Sequence, residues 1–195
     1  RDSIGAYHIG FVLGPCINAG GRLDTAKRAL ELFASEDKEA ADRLAGDLKA
    51  LNDSRKELTK DGVEEAVHQV FDTGRRSERV LVIYLPDCHE SIAGIIAGKV
   101  KERFYRPTIV LTDAEDGIKG SGRSIPGYNM FEELSKVGEL FTKFGGHPMA
   151  AGMSLPKENL QKLRSQLNKN CTLTEEDMIE KLSIDIAMPI QYINE

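Results

Sequence analysis

A chain of 195 residues with a formal charge of −5 has room for one sizeable core and an appendage. Its longest apolar runs, such as residues 80–85, are too short to span a bilayer, Arg1 opens no signal-peptide pattern, and three scattered cysteines without C-x-x-C spacing speak against a disulfide framework or a structural zinc. A reducing cytoplasm and no membrane partner are expected. The charge is uneven: residues 36–72 hold 11 acidic and 6 basic side chains, the whole excess, whereas 99–123 hold 6 basic and 4 acidic.

The N-terminal stretch reads as loop after Val12, because Pro15, Asn18, Gly20 and Gly21 interrupt a helix. Asp24 is placed to cap a short helix carrying Ala26, Ala29, Leu30 and Phe33. Ser35 is placed to cap a longer one, with Glu36, Asp37 and Glu39 in its first turn. Leu44, Leu48, Leu51 and Leu58 form a stripe that Ala66, Val67 and Val70 extend towards Phe71. That predicts a helix of about 35 residues, roughly 50 Å long, bridging two domains.

Residues 79–85 (R-V-L-V-I-Y-L) read as a buried parallel strand. Residues 91–104 read as a helix whose Ala93, Gly94, Ala97 and Gly98 let it lie close on a sheet, and 108–112 as the next strand of a βαβ unit. Residues 117–124 form a strand ending in a glycine turn, 130–144 a helix, 150–155 a strand, and 156–167 a helix with proline near its start. Thr174 and Asp177 have capping-box-like spacing, and 182–186 look like a strand without a partner, the start of a further domain cut off. The expected class is α/β: a long N-terminal bridging helix, then a mixed, mostly parallel β-sheet flanked by helices. The expected divisions are 1–77, 78–171 and 172–195.

The candidate site lies between residues 117 and 155. Two glycine-rich turns, 120–123 and 145–146, offer unobstructed backbone N–H groups. Ser121, Arg123 and Ser124 stand beside one, and His147 beside the other. Amides, a guanidinium fork and a ring suit a phosphate or nucleotide. Ser121 and Arg123, two apart on a strand, point to one face. Simpler readings stand beside these: a turn with a cross-strand salt bridge for that pair, and a carbonyl-bonded structural ring for His147. Arg22, in a glycine-rich loop, is either a surface arginine bonding loop carbonyls or a phosphate clamp. Asp87, His89 and Glu90 mimic a metal cluster, but neighbours on one short loop seldom converge on one ion. His89 is expected to cap the helix from Ser91, and no residue here is expected to be catalytic or to ligate metal. Tyr128 and Phe144 are candidates for stacking on bases, with buried packing favoured for Phe144.

Four blocks carry a resemblance: L-G-P-C-I-N-A-G-G-R-L-D, H-E-S-I-A-G-I-I-A-G-K-V-K-E-R-F-Y-R-P-T-I-V-L-T, K-G-S-G-R-S-I and F-G-G-H-P-M-A-A-G. In this order, and over nearly all of the chain, they resemble the RecJ family of bacterial single-stranded-DNA exonucleases, in the DHH/DHHA1 phosphoesterase superfamily. The last two match its DHHA1 domain. The resemblance implies that 1–77 are the end of a DHH-side region and a connecting helix. It implies that 78–171 are a DHHA1 substrate-binding domain and 172–195 the start of an OB-like domain. By the same resemblance the D-H-H motif and the aspartates that hold Mn²⁺ or Mg²⁺ are absent from this chain. It implies single-stranded DNA as substrate, with a single-strand-binding protein or a helicase as further partners, in cytoplasmic DNA repair and recombination. Arg22, Ser121, Arg123 and Ser124 would then hold phosphates, and Gly145, Gly146 and His147 a nucleotide. Cys16 departs from the arginine usual in L-G-P-R-I-N-A, so the resemblance does not carry a phosphate contact over to that position. Two rivals remain: an oligonucleotide or cyclic-dinucleotide phosphodiesterase pairing DHH with DHHA1, and an RNA-binding module like that of alanyl-tRNA synthetase. The first lacks the long helix and the C-terminal extension; a third glycine in place of His147 would have favoured the second.

Overall fold

A computed structural model describes residues 3–23 and 25–192. Its N-terminal part is helical where a loop was expected. A π-helical segment, His8–Leu13, runs straight into α1 (Gly14–Leu23). Pro15 stands at the junction of the two segments, where the change from π to α winding accommodates a residue without an N–H. Ala19 and Gly20 are buried against α3 (Lys38–Asp72), and a Cβ on Gly20 would stand 2.9 Å from Leu48 Cδ2. The small residues therefore serve close helix packing, which the sequence alone does not distinguish from a loop signal.

Between them α2 (Lys27–Ala34) forms as expected. Its expected cap, Asp24, lies outside the described residues; the Thr25 hydroxyl accepts the Lys27 amide at 3.1 Å. The long helix α3 has 35 residues but is capped by Asp37, whose carboxylate accepts the Glu39 and Ala40 amides, both at 3.2 Å. Ser35 lies two residues before the cap position, and its hydroxyl donates to the Asp37 carbonyl instead. Leu48, Ala66, Val67 and Val70 of the stripe are buried, but Leu58 is exposed and Asn52 and Thr59 are buried instead. Both polar groups are satisfied within the helix, Asn52 by the Arg55 guanidinium and Thr59 by the Arg55 carbonyl. The N-terminal half of α3 carries α1 and α2; its C-terminal half packs on the sheet unit.

That unit comprises β1 (Leu81–Tyr84), α4 (Glu90–Phe104), β2 (Thr108–Ala114), β3 (Gly117–Arg123), α5 (Met130–Ser135), β4 (Lys143–His147), β5 (Ala150–Leu155) and α6 (Leu160–Asn170). The strand order is β1-β2-β3-β5-β4. The sheet is mixed, as expected, but only β1 and β2 pair in parallel; the other three pairings are antiparallel. Two residues join β2 to β3 and two join β4 to β5, too few for the crossover a parallel pair needs. The helix expected over 130–144 stops at Ser135. A 3-10 turn, Gly138–Leu140, follows, and K-F-G-G-H forms β4. Residues 182–186 form no strand and lie exposed. Thr174 and Asp177 do bond reciprocally, around a 3-10 turn.

Each face of the sheet has its own apolar layer. On one, Leu81, Ile83 and Val110 meet Ile92, Ile96 and Val100 of α4 and Ala66 and Val70 of α3. On the other, Val82, Ile109, Ile118 and Leu155 meet Met130 and Leu134 of α5 and Leu163 and Leu167 of α6. Full burial of each such aliphatic side chain is worth about 1.5–3 kcal/mol. Ala93 and Ala97 are completely buried, so α4 lies close on β2 and β3 as its small residues predict. His89 caps α4, its Nδ1 accepting the Ser91 amide. The outer edge of β1 is closed by side chains. Carbonyls of Tyr84, Val82 and Val80 accept from Gln69, Arg164 and Asn168, each at 2.9 Å, and Asn168 Oδ1 accepts the amides of Arg79 and Val80.

Candidate nucleic-acid interface

The register of β3, β5 and β4 places the site. Arg123 pairs with Ala150 and Ala150 with His147; Ser121 pairs with Gly152 and Gly152 with Gly145; Lys119 pairs with Ser154 and Ser154 with Lys143. Paired residues point to the same side, so these three rungs share one face. It is the face that α4 covers over β3, since a Cβ on Gly94 would touch the Arg123 guanidinium and Ser121 Cβ. Among the described residues no helix follows on that side beyond β3, and Gly145, His147, Gly152 and Lys143 are exposed. The result is a bare strip about 10 Å wide across two strand spacings.

Two guanidiniums converge at its α4 end. Arg22, in the last turn of α1 rather than in a loop, donates from Nη1 to the Ser91 carbonyl at 2.7 Å. Arg123 donates from Nη1 to the Gly122 carbonyl at 2.8 Å. Burial first, and then the positive charge of Arg22, push Arg123 below the ordinary guanidinium range. Neither arginine is in an ion pair among the described residues, so the expected alternative of a cross-strand salt bridge does not hold. Like charges held together without a carboxylate form a site that an anion stabilises. Lys119, at the far end, is 3.4 Å from Glu90 across an exposed pair. The exposed His147 ring accepts the Met149 amide at Nδ1, 3.3 Å, leaving Nε2 as the outward donor of the neutral ring.

Two expected members do not belong to this face. Ser124 is buried, its hydroxyl bonded to the Tyr128 carbonyl at 2.6 Å, because alternation after Arg123 sends it to the other face. Gly146 alternates to the opposite side, where a Cβ would meet the Ala150 carbonyl oxygen at 2.3 Å and the Ala151 Cα at 2.6 Å. The expected turns are strands: Gly120 and Gly122 lie within β3, and Gly145 and Gly146 within β4. Gly120 is a packing glycine, its Cβ position 2.1 Å from the Val110 carbonyl oxygen. Gly145 and Gly152 have nothing within 4 Å of theirs. Packing does not require glycine at either, and both leave the middle rung flat. Tyr128 is buried, and Phe144 packs half-buried against Phe131 and Phe141, so neither ring is presented to a base.

Sequence reasoning missed Lys119, Lys143, Gly152 and Ser154. Lys119 follows from carrying the Ser121–Arg123 alternation one step back. The others required recognising β4.

The larger cavities lie elsewhere. One of about 680 Å³ is walled mainly by apolar side chains of the helical part, including Phe11, Phe33 and Leu48. Another, of about 380 Å³, lies between α3 and the loop before α4, with Asp61, Glu65 and Asp87 on its walls. Neither gathers cations without carboxylates beside them, and size alone does not make them the anion site. A shallow hollow of about 230 Å³ beside Glu90, Ser91, Lys119 and Gly120 adjoins the strip. Among the described residues no three His, Cys, Asp or Glu side chains converge as a metal site, so the residues present do not fit a divalent cation. Among them, too, no helix is long and apolar enough to cross a membrane.

Residues 77–172 match the DHHA1 domain family. Over 95% of its length the chain is 42% identical to the single-stranded-DNA-specific exonuclease RecJ of Bacillus subtilis, of which it covers 24%. Solved structures agree. A crystal structure of exonuclease RecJ bound to manganese matches 85% of the chain with a TM-score of 0.76 and 27% identity, over 41% of its own length. That of RecJ from Thermus thermophilus with Mg²⁺ matches 84%, with a TM-score of 0.74 and 26% identity, over 25% of its length. The chain thus matches one segment of these RecJ proteins, spanning 24% to 41% of their length.

Proposed function

We propose that this chain is the strand-holding part of a 5′→3′ single-stranded-DNA exonuclease of cytoplasmic DNA repair and recombination. In this reading residues 78–171 bind substrate, 1–77 connect them to a hydrolytic domain outside this chain, and 172–195 begin an OB-like domain. Arg22, Ser121 and Arg123 hold a phosphate, while Gly145 and His147 meet the adjoining nucleotide. The Mn²⁺ or Mg²⁺ named with the related structures belongs with the hydrolytic domain. A single-strand-binding protein or a helicase is the expected loading partner.

The observation that carries the reading is the pair of guanidiniums, in no ion pair among the described residues, at the head of a flat strip. A surface of stability-driven ion pairs would have matched them with acids, as α3 does with Lys49 and Asp53.

Titrating the chain with a 5′-phosphorylated oligodeoxynucleotide tests it. Arg123→Ala should weaken binding at least about tenfold and reduce the salt slope by about 0.7, one phosphate contact on a single strand. Unchanged affinity in a folded variant removes the site. Preference for a cyclic dinucleotide or a tRNA acceptor stem would replace DNA by one of those ligands.

A further inference from the structure

We propose a second phosphate subsite on this chain, made by Lys119 and Lys143 with Ser154 between them, which sets a minimum length for tight binding. It rests on the strand-holding reading and extends it to residues at the opposite end of the strip.

The register supplies the geometry. Lys119, Ser154 and Lys143 form one rung on the face of Ser121 and Arg123, four residues along β3 from Arg123. At about 3.4 Å per residue the rungs stand roughly 14 Å apart. A nucleotide repeat is six backbone bonds, twice the three of an amino acid, so it extends over about 7 Å where a residue extends over about 3.5 Å. The third phosphate of an extended strand, counted from one held by Arg22 and Arg123, therefore reaches the lysine rung. The second lies over the middle rung of Ser121, Gly152 and Gly145. There the two glycines carry no side chain and have open space above them.

Charge points the same way. Lys143 is exposed and in no ion pair among the described residues, and Lys119 has only the solvent-exposed Glu90, a contact of little energetic weight. Both lie in a chain whose acidic excess sits on α3, away from this face. A flat floor with cations at both ends and none in the middle fits a polyanion of regular repeat better than a single compact anion.

The test is a length series: 5′-phosphorylated oligodeoxynucleotides of one to six residues titrated into the chain, with Arg123→Ala and Lys143→Gln, and Lys119→Gln/Lys143→Gln as a second variant. Wild-type affinity should rise steeply between two and three nucleotides. Lys143→Gln should leave one- and two-residue ligands unaffected, weaken longer ones about three- to tenfold, and cut their salt slope by about 0.7. The double variant should erase the step. If Arg123→Ala weakens every length while the lysine variants match wild type, the second subsite is overturned and the first stands. If Arg123→Ala has no effect, or wild type binds no length, both readings fall.

Discussion

One face of the sheet is paved in two ways. Over β1 and β2 it presents Leu81, Ile83 and Val110, and α4 lies on it with Ile92, Ile96 and Val100 buried. Over β5 and β4 the same pleat presents Ala150, Gly152 and Ser154, then Lys143, Gly145 and His147, and no helix of the described residues lies on it. Hydrogen bonding continues through both halves. The difference is therefore made by side chains alone: branched aliphatics recruit a helix, while glycine and cations leave room for a charged ligand. Glycine itself has two meanings here, close packing at Gly120 and an open floor at Gly152.

Exchanging those meanings should break the comparison most visibly. Gly120→Val drives a Cβ into the Val110 carbonyl, a backbone atom without freedom to retreat. A loss of about 4 kcal/mol or more, or failure to fold, is expected by urea denaturation. A variant of wild-type stability would mean that β2 and β3 tolerate a separation absent from this structure. Ile96→Ala, on the covered half, should cost about 3 kcal/mol, since a fully buried side chain leaves a cavity beneath α4. A loss below about 1 kcal/mol would show that α4 is held by something other than its apolar face.

The bare half should respond in the opposite sense. Gly152→Val places a branched side chain in open space on a strand, so stability should hold or rise by up to about 1 kcal/mol. Oligonucleotide affinity should nevertheless fall at least about tenfold as the floor is blocked. Equal affinity would mean the strand does not cross the middle rung. The smallest effect is at acid pH. Asp113 accepts the Tyr84 hydroxyl and lies 3.3 Å from Lys157, and these partners, the hydroxyl first, hold its carboxyl below the usual range. A lowered folded value means stability fully present above the unfolded value, about 3.9, and lost as pH falls through the folded one. Asp113→Asn should therefore flatten the acid limb below about pH 4 and leave neutral oligonucleotide binding alone. An unchanged acid limb would show that the carboxylate contributes nothing there.

What the sequence revealed follows the same division. The run around Leu81–Tyr84, the small-residue helix α4 and the length of α3 were legible because apolar periodicity records burial. Strand β4 was not. K-F-G-G-H presents one apolar side chain, and glycine carries no pattern from which to read a pleat. The same blindness turned α1 into a loop, because glycines that let it approach Leu48 look like breakers. At the site, Ser121 and Arg123 were placed by alternation, Gly145 and His147 by their motif. Ser124 was one residue too far: the alternation that puts Ser121 and Arg123 on one face sends it to the other, where its hydroxyl is buried. Gly152 became the partner of Ser121, and Lys143 joined the rung of Lys119 and Ser154, through long-range register, which local sequence does not encode.

The closed outer edge of β1 has a consequence for how this chain behaves in a concentrated solution. An open edge is a template on which a neighbouring molecule lays its own strand, and repeated addition builds a fibre. Here the amides of Arg79 and Val80 are occupied by Asn168, 89 and 88 positions further on, so the block exists only once α6 has docked. The opposite edge, β4, is five residues long and carries a lysine at its start, a poor seed for growth. Strand addition at this edge is thereby opposed for as long as α6 stays docked. Asn168 is the residue on which the shelf life of a concentrated stock should depend.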